Sequence, residues 1–373
     1  MAPSSASDRL ERLRHLAETL AVAAIGGLSL GLLGVPGGYL SGAILLVAAA
    51  ALARRPMVVP VPLTRVIFVI IGISLGAVAT PETLKGVVTY PASITVLVVA
   101  MAIAGVGSAV YLKVVHRWNT LSAYLASAPG ALSQVMALAA ELGADLRGIA
   151  IVQTMRVVII AVGLPAGLAL VGLVTPSTRG VGGAFDMAAL DELAILVGVS
   201  TAAAIVLYRI RFPGGLLFGA MLTSALLHGS GLVQVAMPWW VANAAMIALG
   251  AVTGSRFANT PLRLVVDFVA AAFGSFLVAV AIAAVFVAGL IRFMALDPGA
   301  VMISFAPGAV DAMLLLALAL HLDPVYVGAH HLARIFFVSV TLPLVTRRLA
   351  RAPKPKPKPP APLDKRPPPT FQD

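Results

Sequence analysis

The chain has 373 residues, 60% of them hydrophobic and only 11% charged, against about 25% charged in a soluble domain. That balance excludes a soluble globular protein and indicates an all-α polytopic membrane protein. The net charge of +11 does not indicate a nucleic-acid partner, because five Lys/Arg lie after Pro353 and most others flank apolar segments, where they orient a chain in a bilayer.

Residues 1–18 form a polar N-terminal segment assigned to the cytoplasm. No small-residue cleavage site follows the first apolar run, which is therefore read as a retained span. Apolar segments are centred near 20–35, 39–53, 63–79, 91–112, 121–140 and 149–174, and resume after an inter-repeat loop (176–192) near 193–210, 214–229, 239–254, 264–291, 301–320 and 327–346. The second series repeats the first. Val35-Pro36-Gly37-Gly38 matches Phe212-Pro213-Gly214-Gly215, and Gly72 and Gly76 match Gly250 and Gly254, 178 positions on. Small residues four apart let membrane helices approach closely. Two membrane repeats of about 178 residues follow, 19–175 and 193–350.

Charge decides how the repeats are oriented. With five spans and one re-entrant segment per half, Arg54, Arg55, Arg65, Lys113, Arg117, Arg147, Arg209, Arg211, Arg256, Arg263, Arg347 and Arg348 all face the cytoplasm, and only Lys85, Arg179 and Arg292 face outward. Six spans per half would move Arg209, Arg211, Arg256 and Arg263 outside, against the positive-inside tendency. Inverted repeats with both termini cytoplasmic are expected, although segments 121–140 and 301–320 are long enough for a broken helix that crosses. The tail 351–373 contains Lys354-Pro355-Lys356-Pro357-Lys358-Pro359 and is expected to be disordered, extended and solvated.

The residues that could carry chemistry cluster around two helix breaks. Pro129-Gly130 and Pro307-Gly308 interrupt apolar segments, and Arg156 and Arg334 follow them in the next segments, each pair 178 apart. Breaks at membrane depth persist only where protein shields them or a watery cavity lies beside them, and transporters build midplane sites from such breaks. An arginine there costs several kcal/mol unless paired or hydrated. Two roles are open for it: a fixed cation holding an anionic solute, or a brace on the carbonyls of the broken segment. Ser133 and Gln134 lie beside the first break and Asp311 beside the second, with Asp311 either a proton acceptor or the partner of Arg334. His330 and His331 lie one turn before Arg334 and titrate near neutrality, as a proton carrier would.

No metal site, cofactor or enzyme is expected. Cysteine is absent, adjacent histidines diverge by about 100° on a helix, no ligand spacing accompanies them, and no nucleophile–base set is apparent. Pro36-Gly37-Gly38 and Pro213-Gly214-Gly215 lack the ending of a phosphate-binding loop and are read as bends between spans and as candidate cavity lining.

The Pro129-Gly130-x-x-Ser133 arm, the Pro307-Gly308 arm and the terminal His330-His331-x-x-Arg334 together resemble the bacterial AbrB membrane-protein family over roughly residues 20–350. That family often carries an acid after the serine and at its second-half counterpart, where Gln134 and Ala312 stand here. The resemblance implies a bacterial inner-membrane protein, in a family described as regulators of gene expression or ammonia monooxygenases. The expected function is secondary transport or export of a small anionic solute, with Arg156, Arg334, Ser133, Gln134, Pro129, Gly130, Pro307 and Gly308 around the substrate. Asp311, His330 and His331 would couple protons. A solute sensor that influences gene expression is the alternative. Expected partners are the solute and the bilayer, and a homo-oligomer is left open.

Overall fold

A computed structural model describes residues 6–79, 90–128, 132–173, 183, 189–294, 296–308 and 310–351. Fourteen α-helices account for most of them: α1 (Ala6–Leu32), α2 (Gly38–Leu52), α3 (Val61–Gly76), α4 (Tyr90–Val115), α5 (Thr120–Ser127), α6 (Leu132–Leu142), α7 (Leu146–Leu170), α8 (Leu190–Arg209), α9 (Gly215–Gly229), α10 (Trp239–Gly254), α11 (Leu262–Met294), α12 (Pro298–Phe305), α13 (Val310–Ala319) and α14 (Pro324–Arg351). Six contain apolar stretches long enough to cross a bilayer: Leu10–Leu32, Tyr90–Val115, Leu146–Leu170, Leu190–Arg209, Leu262–Met294 and Pro324–Leu349. The chain is a multi-span membrane protein. Apart from Arg351, the tail lies outside the described residues, as does most of the loop 176–192.

Local chemistry sets the helix boundaries, and it recurs at one spacing. The Asn119 side chain caps α5 by accepting from Ser122 N at 2.7 Å, and Asp297, 178 positions later, caps α12 by accepting from Ala300 N at 2.7 Å. Asp145 caps α7 through the amides of Arg147 and Gly148, and Asp323 caps α14 through those of Val325 and Tyr326. Each cap satisfies backbone donors that the first helical turn leaves unpaired. Gly37 and Gly214 precede α2 and α9 at φ 65° and 68°, a left-handed conformation in which a side chain would be strained.

The segments read as 121–140 and 301–320 are each split in two. Helices α5 and α6 flank the first break and α12 and α13 the second, each about 12–17 Å long at 1.5 Å per residue, or roughly half a hydrocarbon core. In each pair the residues just after the second helix touch the first turn of the first. The Asp145 amide, just after α6, donates to Ser122 Oγ near the start of α5 at 3.0 Å. Leu322, just after α13, packs against Gly299 at the start of α12, where an added Cβ would lie 2.8 Å from its side chain.

Helices α2, α3, α9 and α10 are only 15 or 16 residues long and pack reciprocally. A Cβ at Gly72 of α3 would lie 2.7 Å from Ala220 Cβ and 3.1 Å from Met221 N of α9. One at Gly250 of α10 would lie 2.5 Å from Ala43 Cβ and 3.2 Å from Ile44 N of α2. Gly76 and Gly254 make the next turn of the same two contacts, against Ser224 and Val47. The glycines allow backbones to approach where hydrocarbon offers no hydrophobic drive for association.

Gly76→Val and Gly254→Val should therefore each destabilise the protein by about 1–3 kcal/mol through overpacking. Gly198→Ala on α8, where a Cβ meets nothing within 4 Å, should leave stability unchanged or raise it. Thermal melting of the purified protein in detergent measures all three.

Candidate functional site

At a helix break, the last carbonyls of one half and the first amides of the next have no helical partner, and in an apolar interior each unpaired group costs a few kcal/mol. The two arginines meet that need. Arg156, the eleventh residue of α7, donates from Nη2 to the Ala126 carbonyl at 3.0 Å and from Nη1 to that of Ser127 at 3.3 Å. Arg334, the eleventh residue of α14, donates from Nη1 to the Ala306 carbonyl and from Nη2 to that of Gly308, both at 2.8 Å. Gln153, one turn before Arg156, adds a bond from Nε2 to the Leu125 carbonyl at 2.9 Å. Ten residues of helix place each guanidinium about 15 Å from its helix start, near the middle of a roughly 30 Å core.

Both arginines are buried, Arg156 at 3% and Arg334 at 1% exposure, and neither Nε has a hydrogen-bond partner among the described residues. No described carboxylate lies within 4.0 Å of either; an ion pair elsewhere joins Arg55 to Glu18. Arg156 and Arg334 border one void of about 20 Å³, shared with Ser127, Phe305 and Pro307. The structure thus brings the two positions together, from breaks on different hairpins.

Only Arg156 also opens onto a cavity of about 1190 Å³. Arg156, Gln153, Pro307 and Gly308 line that cavity, as do Gln134 and Ser339, and Arg65, Arg209, Arg211 and Arg256 line it as well. Arg65 lies over the Tyr208 ring, 5.2 Å from its centroid, a cation–π contact. Gln134 has a specific anchor. Pro343, inside α14, has no N–H to bond the carbonyl of Ser339 four residues earlier. Gln134 Nε2 reaches that carbonyl at 3.5 Å, and Ser339 Oγ donates back to Gln134 Oε1 at 3.3 Å.

The histidines lie behind the arginine. His330 Nδ1 lies 2.8 Å from the Tyr326 carbonyl and Nε2 lies 2.9 Å from Ser93 Oγ on α4. A carbonyl can only accept, so the proton is on Nδ1, and in the neutral ring Nε2 shares the Ser93 hydroxyl with the Tyr90 carbonyl, 3.0 Å from Ser93 Oγ. The ring also packs on Tyr326, with centroids 4.0 Å apart. His331 is fully buried and faces the Ile303 carbonyl of α12 without a well-formed hydrogen bond. Just ahead of α14, Tyr90 Oη donates to Asp323 Oδ2 at 3.3 Å, and burial holds the Asp323 carboxyl above its usual pKa.

Of the residues singled out from sequence, Arg156, Arg334, Gln134, Pro307 and Gly308 converge at this centre, with His331 and His330 one turn along α14. Pro129 and Gly130 lie outside the described residues, and so do the side chains of Ser133 and Asp311, whose backbones are helical in α6 and α13. Sequence reading placed the second Pro-Gly-Gly bend beside the cavity, and Pro213, Gly214 and Gly215 do line it, but it missed the rest of the wall: Arg65, Arg209, Arg211 and Arg256 had been read only as orientation signals, and Phe68 and Tyr208 as span residues. Their one available signal was the cluster of arginines around the second Pro-Gly-Gly bend.

Arg334→Gln removes two charge-assisted bonds to buried carbonyls and should destabilise the ligand-free protein by about 3 kcal/mol or more. Arg334→Lys keeps the charge but cannot span two carbonyls with a planar fork, so it should fall between Gln and the native residue. Melting of the Arg334 pair and of Arg156→Gln and Arg156→Lys, without added solute, tests this; unchanged melting would remove the bracing role.

Comparisons with known proteins agree with this architecture. The chain is 25% identical over 357 residues to YhjN of Bacillus subtilis (strain 168), covering 88% of this chain and 92% of that one. It is 26% identical over 279 residues to a candidate regulator, AbrB, of Escherichia coli (strain K12), covering 72% of this chain and 77% of that protein. The family model described as transition state regulatory protein AbrB matches residues 39–350, and the chain belongs to this AbrB family of membrane proteins.

Proposed function

We propose that this protein is a secondary transporter or exporter of a small anionic solute, built as two inverted repeats of five spans and one re-entrant hairpin. The single observation that carries the reading is Arg156: a buried cation whose Nε has no described partner, at the inner end of a cavity of about 1190 Å³ that reaches the second Pro-Gly break. Buried charge without a counter-ion is expensive, and an anion entering the cavity offsets that cost. The inverted arrangement is supported by the caps that recur 178 positions apart, by the reciprocal glycine contacts and by the hairpins that return to their starting level. It places Arg65, Arg209, Arg211 and Arg256, which line the cavity, on the cytoplasmic side. The coupling ion in this reading is a proton, carried by Asp311 and His331. His330 has both ring nitrogens engaged and serves better as a clamp between α14 and α4. Solute sensing is the second reading, favoured by the regulator names borne by the family model and the Escherichia coli relative.

Two measurements test these readings. Proteoliposomes on a solid-supported membrane, challenged with carboxylates, phosphates and sulfonates, should give saturable protein-dependent currents for at least one anion, abolished in Arg156→Gln. Anion binding without any current or flux favours the sensor. For the topology, the native chain has no cysteine, so single-cysteine labelling is clean. Cysteines placed at positions 175–186 should react from outside the cell and cysteines near Arg209 and Arg211 only from inside; the opposite pattern would exclude the inverted arrangement.

A further inference from the structure

The solute's chemistry can be narrowed from the cavity wall, on the reading that the cavity binds an anion. At about 1190 Å³ the cavity has room for an organic molecule, since pockets for such ligands span about 300–1000 Å³; its lining rather than its volume narrows the choice. The wall is divided by chemistry. Arg156, Gln153 and the Pro307-Gly308 break lie at the buried end, while Phe68, Phe212, Phe218, Val310 and Ile335 add apolar surface. Phe212 is held edge-on against Phe336 of α14, with centroids 5.7 Å apart and planes at 78°, so its ring is a fixed wall. Arg65, Arg209, Arg211 and Arg256 border the same space, and no described carboxylate is among the lining residues.

We infer that the cavity takes an amphipathic organic anion, one acidic group on an aromatic or branched apolar body, with the acid at Arg156 and the body against Phe68 and Phe212. A small hydrophilic anion would leave that apolar surface wet, forgoing the burial energy that a fitted body supplies. A neutral apolar molecule would leave the Arg156 charge uncompensated. The additional arginines raise the local concentration of any anion near the cavity, and Arg65, fixed on Tyr208, keeps its charge at the wall.

Three probes separate the contributions: phenylacetate, acetate and 2-phenylethanol, titrated against the full-length protein in detergent by thermal shift and by calorimetry. Phenylacetate should bind at least about tenfold tighter than acetate or 2-phenylethanol. Phe68→Ala should weaken phenylacetate about tenfold and leave acetate within about twofold, with Phe68→Leu intermediate. Arg156→Lys should weaken both acids and leave 2-phenylethanol unchanged; should Arg156→Lys fail to fold, Arg65→Gln should weaken both acids by a smaller factor. Acetate binding as tightly as phenylacetate, with Phe68→Ala silent, overturns the amphipathic inference and leaves the anion site standing. 2-Phenylethanol binding as tightly as phenylacetate, or none of the three binding, overturns the inference and the anion site together.

Discussion

Everything at the centre of this protein depends on guanidinium–carbonyl contacts. A helix broken in an apolar medium exposes carbonyls that hydrocarbon cannot satisfy, and an arginine in the same layer brings donors that hydrocarbon cannot satisfy either. Each feature alone is costly; Arg334 at 2.8 Å from two carbonyls, and Arg156 at 3.0 and 3.3 Å from two more, turn two costs into one bonded unit. The contact also keeps the breaks open, because a carbonyl held by a side chain is not free to re-form a continuous helix. Bracing and binding are therefore not rival roles. A guanidinium has five donors, the carbonyls engage its Nη groups, and Nε lacks a described partner in both arginines.

The short helices follow from the same layout. Helices α2, α3, α9 and α10 number only 15 or 16 residues, about 22–24 Å, less than a bilayer core. They face each other through Gly72, Gly76, Gly250 and Gly254, close contacts that a helix can make without spanning the full core. Helix α8 illustrates the contrast: it is longer, apolar and mostly exposed, as a lipid-facing span should be.

How much of this was legible in the sequence varies with the range of the physics involved. The breaks, the two arginines and the glycine pairs are local or periodic signals: Pro and Gly disrupt a helix wherever they fall, and an arginine in an apolar segment is anomalous without any neighbour being known. The caps at Asn119, Asp145, Asp297 and Asp323 were also local and were overlooked because the apolar pattern was read for spans rather than for starts. Of the cavity only the Pro-Gly-Gly bend was legible. The cavity is walled by α3, the turn after α8, α9 and α14, whose meeting depends on tertiary packing. Arg65 and Arg256 carry the same sequence signal whether they face lipid headgroups or a cavity. The partner of Gln134 was hidden for a different reason: it is the Ser339 carbonyl, 205 positions away, made available by Pro343.

The two halves are alike in chemistry and unlike in exposure, and the difference carries mechanistic weight. Arg156 and Arg334 occupy matched positions on α7 and α14 and border the same small void, yet only Arg156 reaches the large cavity. Arg334 is closed off, with His331 and the Ala306–Gly308 backbone around it. The inequality leaves one of two matched guanidiniums beside open space and packs the other shut. The sequence differences sit at the same layer, with Gln153 where the other half has His331 and Ser133 where it has Asp311. At these two positions the residues that can titrate belong to the second half and the neutral ones to the first. A void of about 20 Å³ that both arginines border links these two unlike arginine positions.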